Sequence, residues 1–261
     1  MGRAKEIIVK VIPAKIANEF VKKHHYSGKV VPNSTLHFGC FLDGKLHGVM
    51  SYGTSMQKSR VIGFVKPCLW NEMLELNRMA FDDYLPANSE SRCIAISIKL
   101  IKKNAPHIKW ILSYADGCQC GDGIIYRASG FLLTGIKVNT TMLLMPNGKI
   151  MADKTLNNSN YKVIGQSAGY WKKNGAKPIE GQQLRYIYLI DKTCKITVPI
   201  LPFSKIDEMG AGMYKGVKRK ISDSSITANA AAFQVAEEGQ HHPIAPLKIT
   251  KNGKPYEKKQ S

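Results

Sequence analysis

The chain is 261 residues long and 44% hydrophobic, with 38 Lys and Arg against 19 Asp and Glu, a formal net charge of +19. That length and apolar content suffice to bury a real core in one large domain or two small ones. No charged-then-apolar start and no apolar run approaching ~18 residues is present, so neither an export signal nor a membrane span is expected.

Residues 5–12 read as an apolar strand, and Pro13 suits the first turn of a helix over 14–23 with Ile16, Phe20 and Val21 on one face. That helix runs into His24-His25-Tyr26-Ser27-Gly28, with the glycine as its stop. Segments 36–42 and 46–52 form a hairpin about Asp43-Gly44. A Gly/Ser/Lys/Arg loop covers 53–60, and strand 75–81 follows. The polar turn Pro86-Ala87-Asn88-Ser89-Glu90-Ser91-Arg92 opens onto a helix over 94–103. Strand 110–117 ends near Asp116, and a short helix over 123–130 closes on Gly130-Phe131. A hairpin-like return spans 142–150 around Pro146-Asn147-Gly148-Lys149. Residues 156–177 are polar and basic, interleaved with Tyr161, Tyr170 and Trp171, a composition suited to phosphate contact and base stacking. A strand over 184–190 leads to 199–203, where the folded part is expected to end.

Residues 216–261 lack helical or strand period and read as a disordered basic tail behind a catalytic domain of residues 1–215. The tail carries net +4, which leaves +15 on residues 1–215, so the basic character belongs to the fold. Such an excess favours a polyanionic partner, nucleic acid ahead of an anionic membrane. Five of the six cysteines lie in or near apolar segments and read as buried thiols, and Cys118-Gln119-Cys120 is not a paired zinc motif. A reducing cytoplasm fits.

The chemistry concentrates at residues 74–131. A helix start offers unpaired N–H groups and a positive dipole end to a phosphate, and here Ser89, Ser91 and Arg92 line it. Arg78, near the end of the first strand, and Asp116, at the end of the second, stand at the crevice where ligands bind in such units. His25 supplies a group that exchanges protons near neutral pH.

The element order and the segment Tyr126-Arg127-Ala128-Ser129-Gly130-Phe131 resemble the GNAT acyltransferase superfamily. The resemblance implies an α/β (α+β) fold with a central mixed, mostly antiparallel sheet flanked by helices. The Asn88-Ser89-Glu90-Ser91-Arg92 turn departs from the glycine-rich loop of that superfamily. Together with His24-His25-Tyr26-Ser27, Glu75-Leu76-Asn77-Arg78, Ser113-Tyr114-Ala115-Asp116 and Ile125-Tyr126-Arg127-Ala128-Ser129, it resembles the Mom family of bacteriophage DNA-modification proteins over roughly residues 15–207. That resemblance implies conversion of adenine in duplex DNA to N6-carbamoylmethyladenine, which shields phage DNA from restriction. It implies functional roles for His25, Tyr26, Arg78, Asp116 and Tyr126, and a donor-binding turn at Ser89, Ser91 and Arg92. Iron is associated with the family, and His25, Tyr26 and Asp116 are the residues implied to hold it.

The exocyclic amine of adenine is a poor nucleophile and loses a proton as it attacks, with Asp116 or His25 as the base. The donor is expected to be acetyl-CoA, with a separate nitrogen source, or a glycyl group such as glycyl-tRNA. The competing readings are an acyltransferase for a small amine or protein, and a catalytically idle DNA-binding module.

Overall fold

The computed structural model describes residues 3–158, 164–214 and 217–218, all within the compact unit Met1–Ile221. The strands are β1 (Ile8–Val11), β2 (Ser34–Leu42), β3 (Lys45–Gly53), β4 (Val65–Lys66), β5 (Met73–Phe81), β6 (Trp110–Gly117), β7 (Leu132–Val138), β8 (Met142–Leu144), β9 (Ile150–Ala152), β10 (Lys177–Pro178), β11 (Gln182–Leu189), β12 (Lys195–Ile196), β13 (Met213–Tyr214) and β14 (Val217–Lys218). The α-helices are α1 (Ala14–His24), α2 (Lys58–Val61), α3 (Ser89–Asn104), α4 (Ile124–Ala128), α5 (Asp153–Leu156), α6 (Ala168–Lys173) and α7 (Ser204–Glu208).

Seven strands form one mixed sheet in the order β1-β2-β3-β5-β6-β11-β7, antiparallel throughout except for β5 beside β6. This is the mixed, mostly antiparallel sheet that the sequence leads one to expect. The β2–β3 turn is the Asp43-Gly44 turn, with both residues at positive φ, which matches the twist of a two-residue hairpin. One face of the sheet buries Phe38, Met50, Tyr52, Leu76 and Ile111 against α3 and α4. The other face is covered by α1, through Ala17 and Val21, and by a separate group of Val61, Val65, Met73, Trp110 and Ile187.

Strand β5 is irregular on both of its edges. Its parallel pairing with β6 runs from Met73↔Trp110 to Leu76↔Ser113 and stops there, although both strands continue. Against β3, Leu76 faces Tyr52 and Arg78 faces Ser51, so Asn77 is an extra, bulged residue. Strict alternation would put Glu75 and Arg78 on opposite faces. The bulge brings them to the same face.

Several expectations are corrected. Ile16 is exposed, and Ala17 and Val21 are the buried residues of α1. Helix α3 begins at Ser89, five residues before its expected start. Asn88 at φ 66 turns the chain, and the polar run that follows is the first helical turn. Residues 139–181 hold their own small core of Leu143, Met145, Leu156, Ala168 and Ala176, with Trp171 packed against it. Trp171 therefore anchors that core while Tyr170 stays exposed; Tyr161 lies outside the described residues. Order continues past 203, since Ile206 and Ala211 are buried in the main core and β13 pairs with β14. The expected tail, apart from Val217 and Lys218, lies outside the described residues. Only Cys40, Cys93 and Cys194 are buried, and Cys120 is exposed. No helix among the described residues is long and apolar enough to cross a membrane.

Gly123 sits at φ +88, and a Cβ there runs into the ring of Tyr186, itself buried and bonded to the Asp122 carbonyl. Gly123→Ala is expected to cost about 2 kcal/mol or more, from the left-handed backbone and the ring displacement together, read as a lower midpoint in urea unfolding. His37 is buried, with Nδ1 beside Ser51 Oγ at 2.9 Å and Nε2 unpartnered, and burial lowers its pKa. The folded state thus binds fewer protons than the unfolded one, so stability falls as pH drops below the ordinary imidazole value of about 6.5. Between pH 7.5 and 5.5, unfolding by urea should show a shallower loss of stability for His37→Gln than for the unaltered chain.

Candidate active site

Where β5 and β6 diverge, the segment after α1 crosses the opening. Helix α1 ends because His25 adopts extended geometry, φ −82 and ψ 135, while its N–H still bonds Val21 O. His25 Nδ1 accepts the Ser27 backbone N–H at 3.1 Å and lies 2.8 Å from Ser27 Oγ. An Nδ1 that accepts an N–H leaves the imidazole proton on Nε2. Two bonds fasten this segment to the sheet. Tyr26 donates its hydroxyl to Asp116 Oδ2 at 3.0 Å, and Arg78 Nε donates to Lys29 O at 2.9 Å.

Asp116 is the hub. Its Oδ1 accepts Cys118 N–H and its Oδ2 accepts Gln119 Nε2, each at 3.0 Å, beside the Tyr26 bond. Its backbone carbonyl accepts the N–H groups of Gln119, Cys120 and Gly121, which folds the chain tightly after β6. Arg78 Nη1 bonds the Asn77 carbonyl at 2.8 Å. Its Nη2 has no bonded partner among the described residues.

The surroundings keep most of these groups uncharged. Burial, then the positive charge of Arg78, pushes His25 down to about 4, against an opposing pull from Asp116. Burial and the adjacent Asp116 carboxylate raise the Tyr26 hydroxyl well above the usual phenol range, although half of its residue surface is open. The hydroxyl is turned onto Asp116. Burial pushes Tyr126 up to about 12.

The other expected residues separate into two groups. Tyr126 is a wall of the site: its ring is buried between Phe131 and Tyr186, and its hydroxyl lies near enough to Ser113, at the point of divergence, to be influenced by it. Its carbonyl accepts Phe131 N–H after Gly130 at φ +79, which is the physical content of the Tyr-x-x-x-Gly-Phe spacing. At the start of α3, Ser89 is fully buried and donates to Pro86 O, while Ser91 donates to Asn88 O at 3.2 Å. Arg92 Nη2 donates to Lys5 O at 3.2 Å. These three side chains shape the turn. What the turn holds out to an anion is the backbone N–H of Glu90 and Ser91, neither of which has a bonded partner among the described residues.

Glu75 is a site group that sequence reasoning passed over. It is half-buried, its carboxyl is raised by burial, and Ser55, Arg78, Asn77 and Lys154 surround it. Cys120 lies close enough to Tyr26 and Tyr126 to affect both hydroxyls. The Glu-Leu-Asn-Arg spacing carries no sign of the bulge that turns Glu75 and Arg78 to one side. The set implied for iron, His25, Tyr26 and Asp116, gathers at the opening, with Tyr26 and Asp116 joined by a hydrogen bond and Asp116 acting on His25. The Tyr26 hydroxyl is donated to Asp116, and among the described residues no three His, Cys, Asp or Glu gather to hold an ion.

The model of the Mom protein family matches residues 6–205 of this chain. The methylcarbamoylase Mom of Escherichia phage Mu is 32% identical over 195 residues, covering 74% of this chain and 79% of that protein. Among solved structures, similarity is found to an IAA acetyltransferase of Bacillus cereus, with TM-score 0.41, 10% identity, and coverage of 70% of this chain and 99% of that one. A Bacillus subtilis acetyltransferase in complex with CoA gives TM-score 0.40 at 10% identity, over 70% of this chain and 99% of that one.

Histidine C2-proton NMR checks the electrostatics. His25 should stay neutral through pH 6–8 and titrate only near pH 4, and Arg78→Gln should move its midpoint upward by removing the positive neighbour. A midpoint near 6.5 in the unaltered chain would contradict this assignment.

Proposed function

The chain belongs to the Mom protein family, and on that premise we propose that it is a transferase that converts adenine in duplex DNA to N6-carbamoylmethyladenine. The observation that carries the reading is the gathering of His25, Tyr26, Arg78 and Asp116 where β5 and β6 part. The +15 charge of residues 1–215 suits a phosphate-backbone partner.

Roles follow from the geometry. Chemistry on a stacked base is sterically blocked, so the adenine leaves the helix stack and enters the opening. Asp116 Oδ1, which accepts one hydrogen bond and keeps a lone pair, takes the proton that the exocyclic amine loses. His25, with its proton on Nε2 and its charge suppressed, is a neutral donor suited to a developing oxyanion. Tyr26 holds Asp116 in place. The free Nη2 of Arg78 faces the donor, and its charge disfavours an ammonium form nearby.

A glycyl donor, such as glycyl-tRNA, accounts for the product. Acyl transfer joins the adenine amine to the glycyl carbonyl and releases the donor's hydroxyl. The free glycyl amine then attacks C6 through a five-membered ring. The bond from C6 to the original nitrogen breaks, and that nitrogen becomes the terminal amide. Acetyl-CoA as donor requires a second nitrogen source to reach the same product. The N–H groups of Glu90 and Ser91 at the start of α3 suit a phosphate of either donor.

Nucleosides from plasmid DNA of bacteria expressing the chain should show a carbamoylmethyl increment on deoxyadenosine by mass spectrometry. Asp116→Ala should reduce it at least 100-fold at equal protein level, an order-of-magnitude expectation for loss of a general base. Cells fed doubly labelled glycine should place both labels in the modified base. DNA that stays unmodified by a soluble, well-expressed chain would overturn the reading, and modified base without label would overturn the glycyl donor alone.

A further inference from the structure

Tyr114 is an exposed aromatic in the middle of a central strand. It is 42% exposed, while every other residue of β6 is buried or half-buried. The two coverings of this face leave it open: α1 packs over β3 and the far half of β5, and the Val61, Val65 and Trp110 group packs over the start of β6. Tyr114 lies two residues before Asp116, so both side chains leave β6 on the same face, about 6.6 Å apart along the strand.

Two of its neighbours are cationic and one is a carboxylate. Arg185 stands directly opposite Tyr114 on β11. The Arg185 guanidinium rests 4.0 Å above the Phe64 ring and is pinned to Thr134, Nε to Oγ1 at 3.0 Å and Nη2 to the carbonyl. It is held rigidly by groups that are not acids. Arg60, on α2, is near enough to Tyr114 to act on its hydroxyl and bonds only Gln57 among the described residues. Glu75 borders the ring from β5.

A flat ring open to solvent, flanked by two guanidinium groups and one strand-repeat from a carboxylate, is a nucleotide platform. We propose that Tyr114 is the surface on which the extruded adenine stacks, with Arg185 and Arg60 on the phosphates flanking it. A purine lying on that ring directs its exocyclic amine toward Asp116. Tyr26 is less suited to the task, because its hydroxyl is tied to Asp116 and its ring lies against His25, 4.3 Å between centroids. The inference rests on the adenine-modification reading and adds its acceptor subsite.

The test compares Tyr114→Ala, Tyr114→Phe and Tyr114→Trp in the full chain, by modified deoxyadenosine in plasmid DNA at equal protein level and by fluorescence anisotropy with a random-sequence duplex. Loss of one stacking ring should lower modification roughly 10- to 100-fold in the Ala variant, and the Phe and Trp variants should recover most of it. Bulk duplex affinity should change less than about threefold in the Ala variant, because phosphate contacts dominate it. Exposure of the ring means the Ala variant folds, which its thermal unfolding checks. A Phe variant as defective as Ala, or an Ala variant that modifies DNA at the unaltered rate, overturns the platform while leaving the reaction standing. Unmodified DNA from the unaltered chain overturns the reaction itself, and the platform with it.

Discussion

The parallel contact between β5 and β6 lasts only from Met73↔Trp110 to Leu76↔Ser113, and the rest of the site depends on where it stops. Beyond it, the facing edges of the two strands no longer satisfy each other, and the gap opens in the middle of the sheet, where hydrophobic layers hold both walls rigid. Ser113 marks the fork, with the Tyr126 hydroxyl nearby and its own hydroxyl donated to Leu76 O at 3.4 Å. The bulge at Asn77 then aims Arg78 along the same side as Glu75. The segment after α1 closes the opening through two hydrogen bonds, Tyr26 to Asp116 and Arg78 to Lys29.

Electrostatically, the site is more neutral than its composition implies. A chain of net +19 places a half-buried arginine here, and its charge together with burial keeps His25 in its neutral form. The two phenols are held protonated by burial, and Asp116 gathers donors from Tyr26, Gln119 and the Cys118 backbone. The result is one carboxylate ringed by hydrogen-bond donors. That arrangement suits taking a proton from a weakly nucleophilic amine while steadying an oxyanion nearby.

Residues 139–181 enlarge this setting. They leave the sheet at Val138 and return at Gln182, and Gln182 is in register with Gly117, one residue past Asp116. The segment has its own core, and Lys149, Lys154, Lys172, Lys173 and Lys177 are exposed. Lys154 reaches close enough to influence Glu75. A basic element with its own core is thus rooted beside the hub.

Much of the architecture was legible in the sequence because it rests on local rules. The Asp43-Gly44 hairpin, the 3.6-residue period of the central helix and the Gly130 stop need only near neighbours, and the motifs around His25, Arg78, Asp116 and Tyr126 mark the family without any coordinates. Which polar side chains remain available was decided by tertiary structure. Ser89, Ser91 and Arg92 look like a binding turn in sequence, yet they bond their own turn and Lys5, because a helix start satisfies whatever groups lie nearest. Arg78 came to share a face with Glu75 only through a bulge defined by pairing with β3, a strand more than twenty residues away. Tyr114 became exposed only because two packing layers stop short of it. Period and motif are properties of neighbours along the chain. The sharing of a face, the partner of a hydrogen bond and the removal of water arise from distant segments meeting in space, and no local pattern records them.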